Sequence, residues 1–91
     1  MDQEKAAEIK RKVREFITSN FYVPEASRLT DQSSLLDSGI VDSTGMLEVI
    51  AFLESDFTIQ VSDRDLVPEN LDSIERIAAY IARRRAEGPP T

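Results

Sequence analysis

The reactive side chains available to this chain are few, and they exclude most kinds of catalysis. None of its 91 residues is a histidine or a cysteine, so neither a serine–histidine nucleophile nor a zinc site is expected. The alternating acids of residues 63–69 resemble the start of a calcium loop, but the central glycine is missing and Pro68 interrupts the turn. No glycine-rich phosphate loop is present. We therefore expect neither a self-contained enzyme nor a metal site.

The hydroxyl of Ser43 is the strongest candidate for a functional group. It follows Asp42 where a polar loop changes into an apolar helix pattern. A phosphodiester on this serine would lie at a helix N-terminus, where free amides and the helix dipole favour an anion. The Asp-Ser dipeptide alone is weak evidence, because it recurs at residues 37–38 and 72–73. The simplest structural role of Ser43 is that of a helix cap.

Charge is distributed unevenly along the chain, whose formal net charge is −6. No Lys or Arg lies between Arg28 and Arg64, whereas this stretch holds the acids Asp31, Asp37, Asp42, Glu48, Glu54, Asp56 and Asp63. Such an acidic middle predicts repulsion from nucleic acid and anionic membranes and attraction to basic protein surfaces. Solvation of a small domain is the alternative explanation.

Three main helices are predicted to position Ser43. An amphipathic pattern covers residues 2–19, and a second helix is expected over residues 43–55. The last helix is expected to open at Asp72, with Glu75 three residues later as in a capping box.

A long first loop and one short helix complete the predicted architecture. Residues 20–42 contain too many apolar side chains for a free linker, so this loop should be pinned to the core. A brief helical turn opens at Ser62 in another capping box, and Pro68 either ends that turn or starts the next one. The sequence thus predicts an all-α fold: a small four-helix bundle of three main helices plus one short helix.

The second helix is apolar on more than one face. Its expected core face consists of Met46, Val49, Ile50, Leu53 and Phe57. A second face, edged by Glu48 and Glu54, consists of Thr44, Leu47 and Ala51. In a domain this small, that second face indicates a partner groove.

We expect a single domain over residues 1–86 and a flexible tail over residues 87–91. The first residues lack the apolar core of a signal peptide, and no apolar run approaches the roughly 20 residues that cross a bilayer. The simplest expectation is a free-standing, monomeric, cytoplasmic protein that binds neither nucleic acid nor membrane.

Over residues 9–81 the chain resembles the acyl and peptidyl carrier proteins, which bear a 4′-phosphopantetheine arm on a serine. The shared features are Asp42-Ser43 at the start of the second helix, Glu48 and Glu54 along it, the long first loop, the short helix and the closing helix. The resemblance implies an all-α carrier domain without catalytic activity of its own.

The resemblance also implies roles for individual residues. Ser43 would be the attachment site, modified by a phosphopantetheinyl transferase that uses coenzyme A, and Asp42 would assist this modification. The arm would carry an acyl or aminoacyl thioester between loading and downstream synthase enzymes with basic docking surfaces. The implied docking face consists of Thr44, Met46, Leu47, Glu48, Ala51 and Glu54.

The residues after the serine depart from one branch of that family. Fatty-acid-type carriers usually have Leu and often Asp where this chain has Thr44 and Gly45. Asp-Ser-x-Gly preceded by residues 39–41 looks more like D-alanyl carriers and stand-alone aminoacyl or peptidyl carriers. Fatty acid, polyketide and nonribosomal peptide pathways therefore all stay open. A cargo cleft would be lined by Ile59, Val61 and Leu66, for which plain core packing is an equal explanation.

The alternative hypothesis is an unmodified helical protein–protein interaction module that docks a partner through Leu47 and Ala51. Substitution of Ser43 by Ala separates the two hypotheses. It would abolish the function of a carrier, whereas an adaptor would lose only the stabilisation that a helix cap provides, about 1 kcal/mol.

Overall fold

The computed structural model describes residues 2–25 and 28–87, and these residues form four α-helices and no strand. Helix α1 spans Asp2–Asn20, α2 spans Ser43–Asp56, α3 spans Pro68–Leu71 and α4 spans Ile74–Glu87. A 3-10 turn at Asp63–Asp65 precedes α3. The predicted bundle of three main helices and one short helix is therefore confirmed. Pro68 starts the short helix, which was one of its two predicted roles.

The hydrophobic core is built from one face of each long helix, from three side chains of the first loop and from three side chains between α2 and α4. The buried apolar residues are Ile9, Val13 and Ile17 of α1, Leu29, Leu35 and Val41 of the loop, Val49 and Leu53 of α2, Phe57 and Ile59 after α2, Leu71 of α3, and Ile74, Ile77, Ala78, Tyr80 and Ile81 of α4. The buried face of α2 is narrower than predicted, because Met46 and Ile50 are only half-buried. Tyr80 of α4 is almost fully buried, with 1% of its surface exposed.

Two of the predicted helix caps are wrong in detail. Ser73 caps α4 by accepting a hydrogen bond from the Arg76 amide at 3.0 Å, so the cap is one residue later than Asp72. At the 3-10 turn, the Ser62 hydroxyl contacts the Asp65 carboxylate at 3.1 Å instead of accepting from the backbone. Serine and aspartate side chains can bond several partners, and the tertiary neighbours decide between them.

The first loop is tied to α1 and α4, as its apolar content predicted. The Arg14 guanidinium donates to the Leu29 carbonyl at 2.6 Å and to the Asp31 carboxylate at 3.0 Å. The Asp31 carbonyl in turn accepts from the Glu75 amide at 2.9 Å. Asp31 thereby joins the loop to both helices, and this arrangement restricts the chain that leads to α2.

Two further expectations concern the ends of the chain and the membrane. The predicted tail lies outside the described residues except for Glu87, which is the last residue of α4. Within residues 2–25 and 28–87, no helix combines the length and the apolar character needed to cross a membrane.

Candidate functional site

Ser43 is the first residue of α2, and its side chain is exposed. The cap of this helix is Asp42, whose carboxylate accepts a hydrogen bond from the Gly45 amide at 2.7 Å. The cap, which is the simplest structural role for Ser43, is therefore supplied by Asp42 instead. Among the described residues, none forms a hydrogen bond with the Ser43 hydroxyl. The capping role of Asp42 leaves that hydroxyl available for chemistry.

Gly45 explains how the start of α2 is held in place. A Cβ atom at this position would lie 2.6 Å from Phe21 Cε1 and 3.2 Å from Asp42 Oδ1. The Phe21 ring, which follows the end of α1, therefore packs directly on the α2 backbone, and no side chain larger than hydrogen fits without a shift. Glycine weakens a helix interior by about 1 kcal/mol relative to alanine. Close packing is the physical reason for this glycine.

Phe21 belongs to a series of aromatic rings between α1 and α2. It meets Phe16 edge-on with ring centroids 6.2 Å apart, and Phe16 stacks on Phe52 at 4.2 Å. Phe52 meets Phe57 edge-on at 5.6 Å. Such ring pairs add about 0.5–1.5 kcal/mol each beyond the area that they bury. The series joins both ends of α2 to α1 and so orients the helix that presents Ser43.

The face of α2 that the sequence assigned to docking is largely exposed. Thr44, Glu48 and Ala51 are exposed, and Leu47 keeps 63% of its surface open to solvent. Met46 is half-buried against the core. This geometry places Thr44, Leu47, Glu48 and Ala51 together on one surface and separates Met46 from them.

Glu54 differs from Glu48 in its contacts, although both are exposed on α2. One carboxylate oxygen of Glu54 accepts a hydrogen bond from the Val61 amide at 3.0 Å. Glu54 thus joins the end of α2 to the segment that follows it. No ion pair in the described part of the chain involves Asp42, Glu48 or Glu54. The negative charge of this surface is therefore not neutralised internally.

The proposed cargo-cleft residues have different environments. Ile59 is buried at 9% exposure, Val61 is half-buried, and Leu66 is 40% exposed. The core position of Ile59 agrees with simple packing. Their part in holding cargo stays a prediction.

Near the end of the segment after α2, Asp65 forms a hydrogen bond with Tyr80 of α4, and the pKa values of both side chains are shifted. The Tyr80 hydroxyl donates to the Asp65 carboxylate at 2.8 Å. Burial, reinforced by this hydrogen bond, raises the pKa of Tyr80 from 10.0 to about 12. The same bond is the main reason that the pKa of Asp65 lies below 3.8. Both shifts stabilise the pair with tyrosine protonated and aspartate ionised.

The comparisons with known proteins show the family to which this chain belongs. A protein-family model described as "Phosphopantetheine attachment site" matches residues 11–81 of this chain. The chain belongs to this family. It is 31% identical over 77 residues to an acyl carrier protein of Thermotoga maritima, a match covering 85% of this chain and 91% of the relative. It is 23% identical over 78 residues to a probable acyl carrier protein, PigG, of a Serratia species, covering 86% and 90% of the two chains.

Membership in the family makes the chain a carrier protein whose cofactor is covalently attached 4′-phosphopantetheine. The start of α2 fits such a group. The Ser43 hydroxyl is exposed, and the amides of Ser43 and Thr44 have no hydrogen-bond acceptor among the described residues. Unpaired amides at a helix N-terminus suit a phosphate. Because the surrounding charge is acidic, a covalent bond is what would hold the phosphate there.

The sequence alone did not reveal two residues that shape the site. Gly45 was interpreted only as part of a family motif, and Phe21 counted only among the apolar residues of the 20–42 loop. A glycine in the first turn of an apolar helix is itself a signal of close packing. Which ring fills that space depends on the tertiary fold.

Proposed function

We propose that Ser43 bears the 4′-phosphopantetheine arm and that the carrier shuttles acyl or aminoacyl thioesters between partner enzymes. The observation that carries the proposal is the exposed Ser43 hydroxyl, without a hydrogen bond among the described residues, at the first position of α2 in a chain that matches the attachment-site family. Asp42 supports this role by capping the helix and leaving the serine uninvolved.

The modification would be catalysed by a phosphopantetheinyl transferase with coenzyme A as donor. The Ser43 oxygen forms a bond to the phosphorus that carries pantetheine, and the pyrophosphate bond of coenzyme A breaks. Adenosine 3′,5′-bisphosphate leaves, and the hydroxyl proton passes to a base of the transferase. This chain contributes position and exposure, which are what an attacking group requires. The thiol for thioester chemistry belongs to the arm, so the absence of cysteine is no obstacle.

Partner enzymes would dock on the exposed face of α2, where Leu47 offers apolar contact and Glu48 offers charge. Oppositely charged surfaces speed encounter and set orientation, so we propose partners with Arg or Lys opposite Glu48. Glu54 contributes charge to the same helix but is also engaged with Val61. We further propose that residues 1–86 act as one carrier domain, as a cytoplasmic monomer.

The attachment site is tested by intact mass after incubation with coenzyme A, magnesium and a broad-specificity phosphopantetheinyl transferase. The parent protein should gain one phosphopantetheine, and Ser43→Ala should gain none. Because Ser43 is exposed and is not the cap, the variant should keep the parent's stability within about 0.5 kcal/mol. A folded parent that stays unmodified would instead favour the unmodified interaction module, which the exposed Leu47 face would also serve.

The docking surface is tested with the same transferase by comparing Glu48→Lys with Glu54→Gln. Charge reversal at Glu48 should raise the KM for the carrier by about tenfold at low salt, with a smaller effect at high salt. Glu54→Gln keeps an oxygen for the Val61 amide and removes one charge, so it measures the effect of charge alone. An unchanged KM for Glu48→Lys would rule out docking through this residue.

A further inference from the structure

Asp72 is hydrogen-bonded to the loop that leads into Ser43, although Asp72 and this loop are far apart in sequence. One carboxylate oxygen of Asp72 accepts from the Ser34 hydroxyl at 2.7 Å, and the other accepts from the Leu36 amide at 2.9 Å. Its backbone carbonyl accepts from the Leu35 amide, also at 2.9 Å. Three successive residues of the loop are therefore bonded to one residue of the chain that precedes α4.

The carboxylate is available for this purpose because Ser73 performs the capping of α4. An aspartate at the mouth of a helix would ordinarily bond the first-turn amides. Here both oxygens of Asp72 are engaged by the loop instead. No ion pair involves Asp72 among the described residues.

The bonded residues begin a turn, residues 34–41, that is closed by its own hydrogen bonds. The Val41 amide donates to the Leu35 carbonyl at 3.1 Å, and both side chains are buried. The Ser34 hydroxyl, besides donating to Asp72, accepts from the Asp37 amide at 3.0 Å. Because these bonds close the turn, we expect a displacement at residues 34–36 to shift Val41. Val41 is the residue before the Asp42 cap.

From this geometry we infer that Asp72 is a positioning residue for the attachment reaction, which holds Ser43 in place through the 34–41 turn. The inference rests on the proposed role of Ser43. Because no described residue bonds the Ser43 hydroxyl, its position depends on the chain on either side. Phe21 and Gly45 restrain the helix side, and Asp72 restrains the loop side. A small misplacement of a reacting group lowers a rate strongly.

The test compares Asp72→Ala with Asp63→Ala as a matched control. Asp63 is an exposed acid whose side chain has no hydrogen bond in the described part of the chain. In hydrogen exchange, Asp72→Ala should speed exchange of the Leu36 and Val41 amides by about tenfold or more, whereas the control should not. In the transferase assay, Asp72→Ala should lower kcat by about tenfold, after correction for the folded fraction, with little change in KM for the carrier.

Two additional variants keep the test decisive. Asp72→Asn retains an oxygen for the Leu36 amide and should restore most of the rate. Ser34→Ala removes the 2.7 Å contact, together with the bond from the Asp37 amide, without touching α4. It replaces Asp72→Ala if that variant fails to fold.

The outcomes separate the two proposals. If the parent is modified and Asp72→Ala matches Asp63→Ala in kcat, this inference is overturned while the carrier function stands. If the folded parent is not modified at all, the proposed role of Ser43 fails and the positioning role fails with it. If the kcat of Asp72→Ala equals that of the parent after correction for the folded fraction, Asp72 has only a structural role. That result would also overturn the inference.

Discussion

The two connections that flank α2 are held in different ways. The connection before α2 is fixed at two places, by Arg14 at Leu29 and Asp31 and by Asp72 at the 34–41 turn. The connection after α2, residues 57–67, has side-chain hydrogen bonds at the Gln60 carbonyl, at the Val61 amide and around Asp65. The first holds three buried apolar side chains, whereas the second holds two, Phe57 and Ile59, and ends in the exposed pair Leu66 and Val67.

Backbone conformation sharpens this difference. The first connection adopts a left-handed conformation at Gly39, with φ 79°, where a glycine has no Cβ to clash. The second does so at Thr58, with φ 54°, where a β-branched side chain makes the conformation costly. The left-handed position in the segment leading into Ser43 is thus unstrained, whereas that in the segment leaving α2 is strained. This difference teaches that the backbone strain at Thr58 lies at the end of α2 opposite to Ser43.

The largest effect is expected at Gly45, where the first connection meets α2. Gly45→Ala places a methyl group 2.6 Å from Phe21 Cε1, and overpacking of this kind costs about 1–3 kcal/mol. Denaturant unfolding should show that loss.

Gly39→Ala is the matched control, because a Cβ there would have no neighbour within 4 Å. It should cost only about 1 kcal/mol, through the left-handed backbone. If Gly45→Ala is no less stable than Gly39→Ala, the contact between Phe21 and α2 does not hold the site.

A smaller effect is expected at Tyr80, which anchors the end of the second connection. Tyr80→Phe removes the hydrogen bond to Asp65 and should cost about 1 kcal/mol at neutral pH. Because the pKa of Tyr80 is raised from 10.0 to about 12 in the folded protein, the parent should lose this stabilisation as the pH rises from 10 to 12. Because the pKa of Asp65 is lowered, the stabilisation should also fade as the pH falls below 3.8.

The measurement is the free energy of unfolding of parent and variant across these pH ranges. The difference in the free energy of unfolding between parent and variant should be largest between pH 3.8 and 10. It should shrink as the pH falls below 3.8 and as it rises from 10 to 12. A difference that is constant from neutral pH to pH 12 would show that the hydroxyl does not stabilise the fold through this bond.

Much of the fold followed from the spacing of apolar residues. The amphipathic pattern over residues 2–19 predicted a buried side of α1, where Ile9, Val13 and Ile17 lie, and Leu47 and Ala51 predicted an exposed side of α2. Helical periodicity is a local property, so it can be recognised without knowledge of the neighbours. The attachment role of Ser43 was implied by the resemblance to carrier proteins, and it stays a prediction.

The caps could not be predicted in the same way. At residues 42–43 and 72–73 an aspartate and a serine stand side by side, and either can accept from a first-turn amide. In α2 the aspartate caps and the serine is exposed, whereas in α4 the serine caps and Asp72 bonds the distant loop. The same dipeptide thus has opposite assignments, because different segments meet it.

Local sequence is therefore sufficient for the number of long helices, their approximate limits and the acidic middle. Contacts between distant segments decided that Phe21 fills the space above Gly45 and that Asp72 holds the 34–41 turn. The physical reason is range. Periodicity and charge are read along the chain, whereas a hydrogen bond or a close contact depends on which residues the fold brings within a few ångströms.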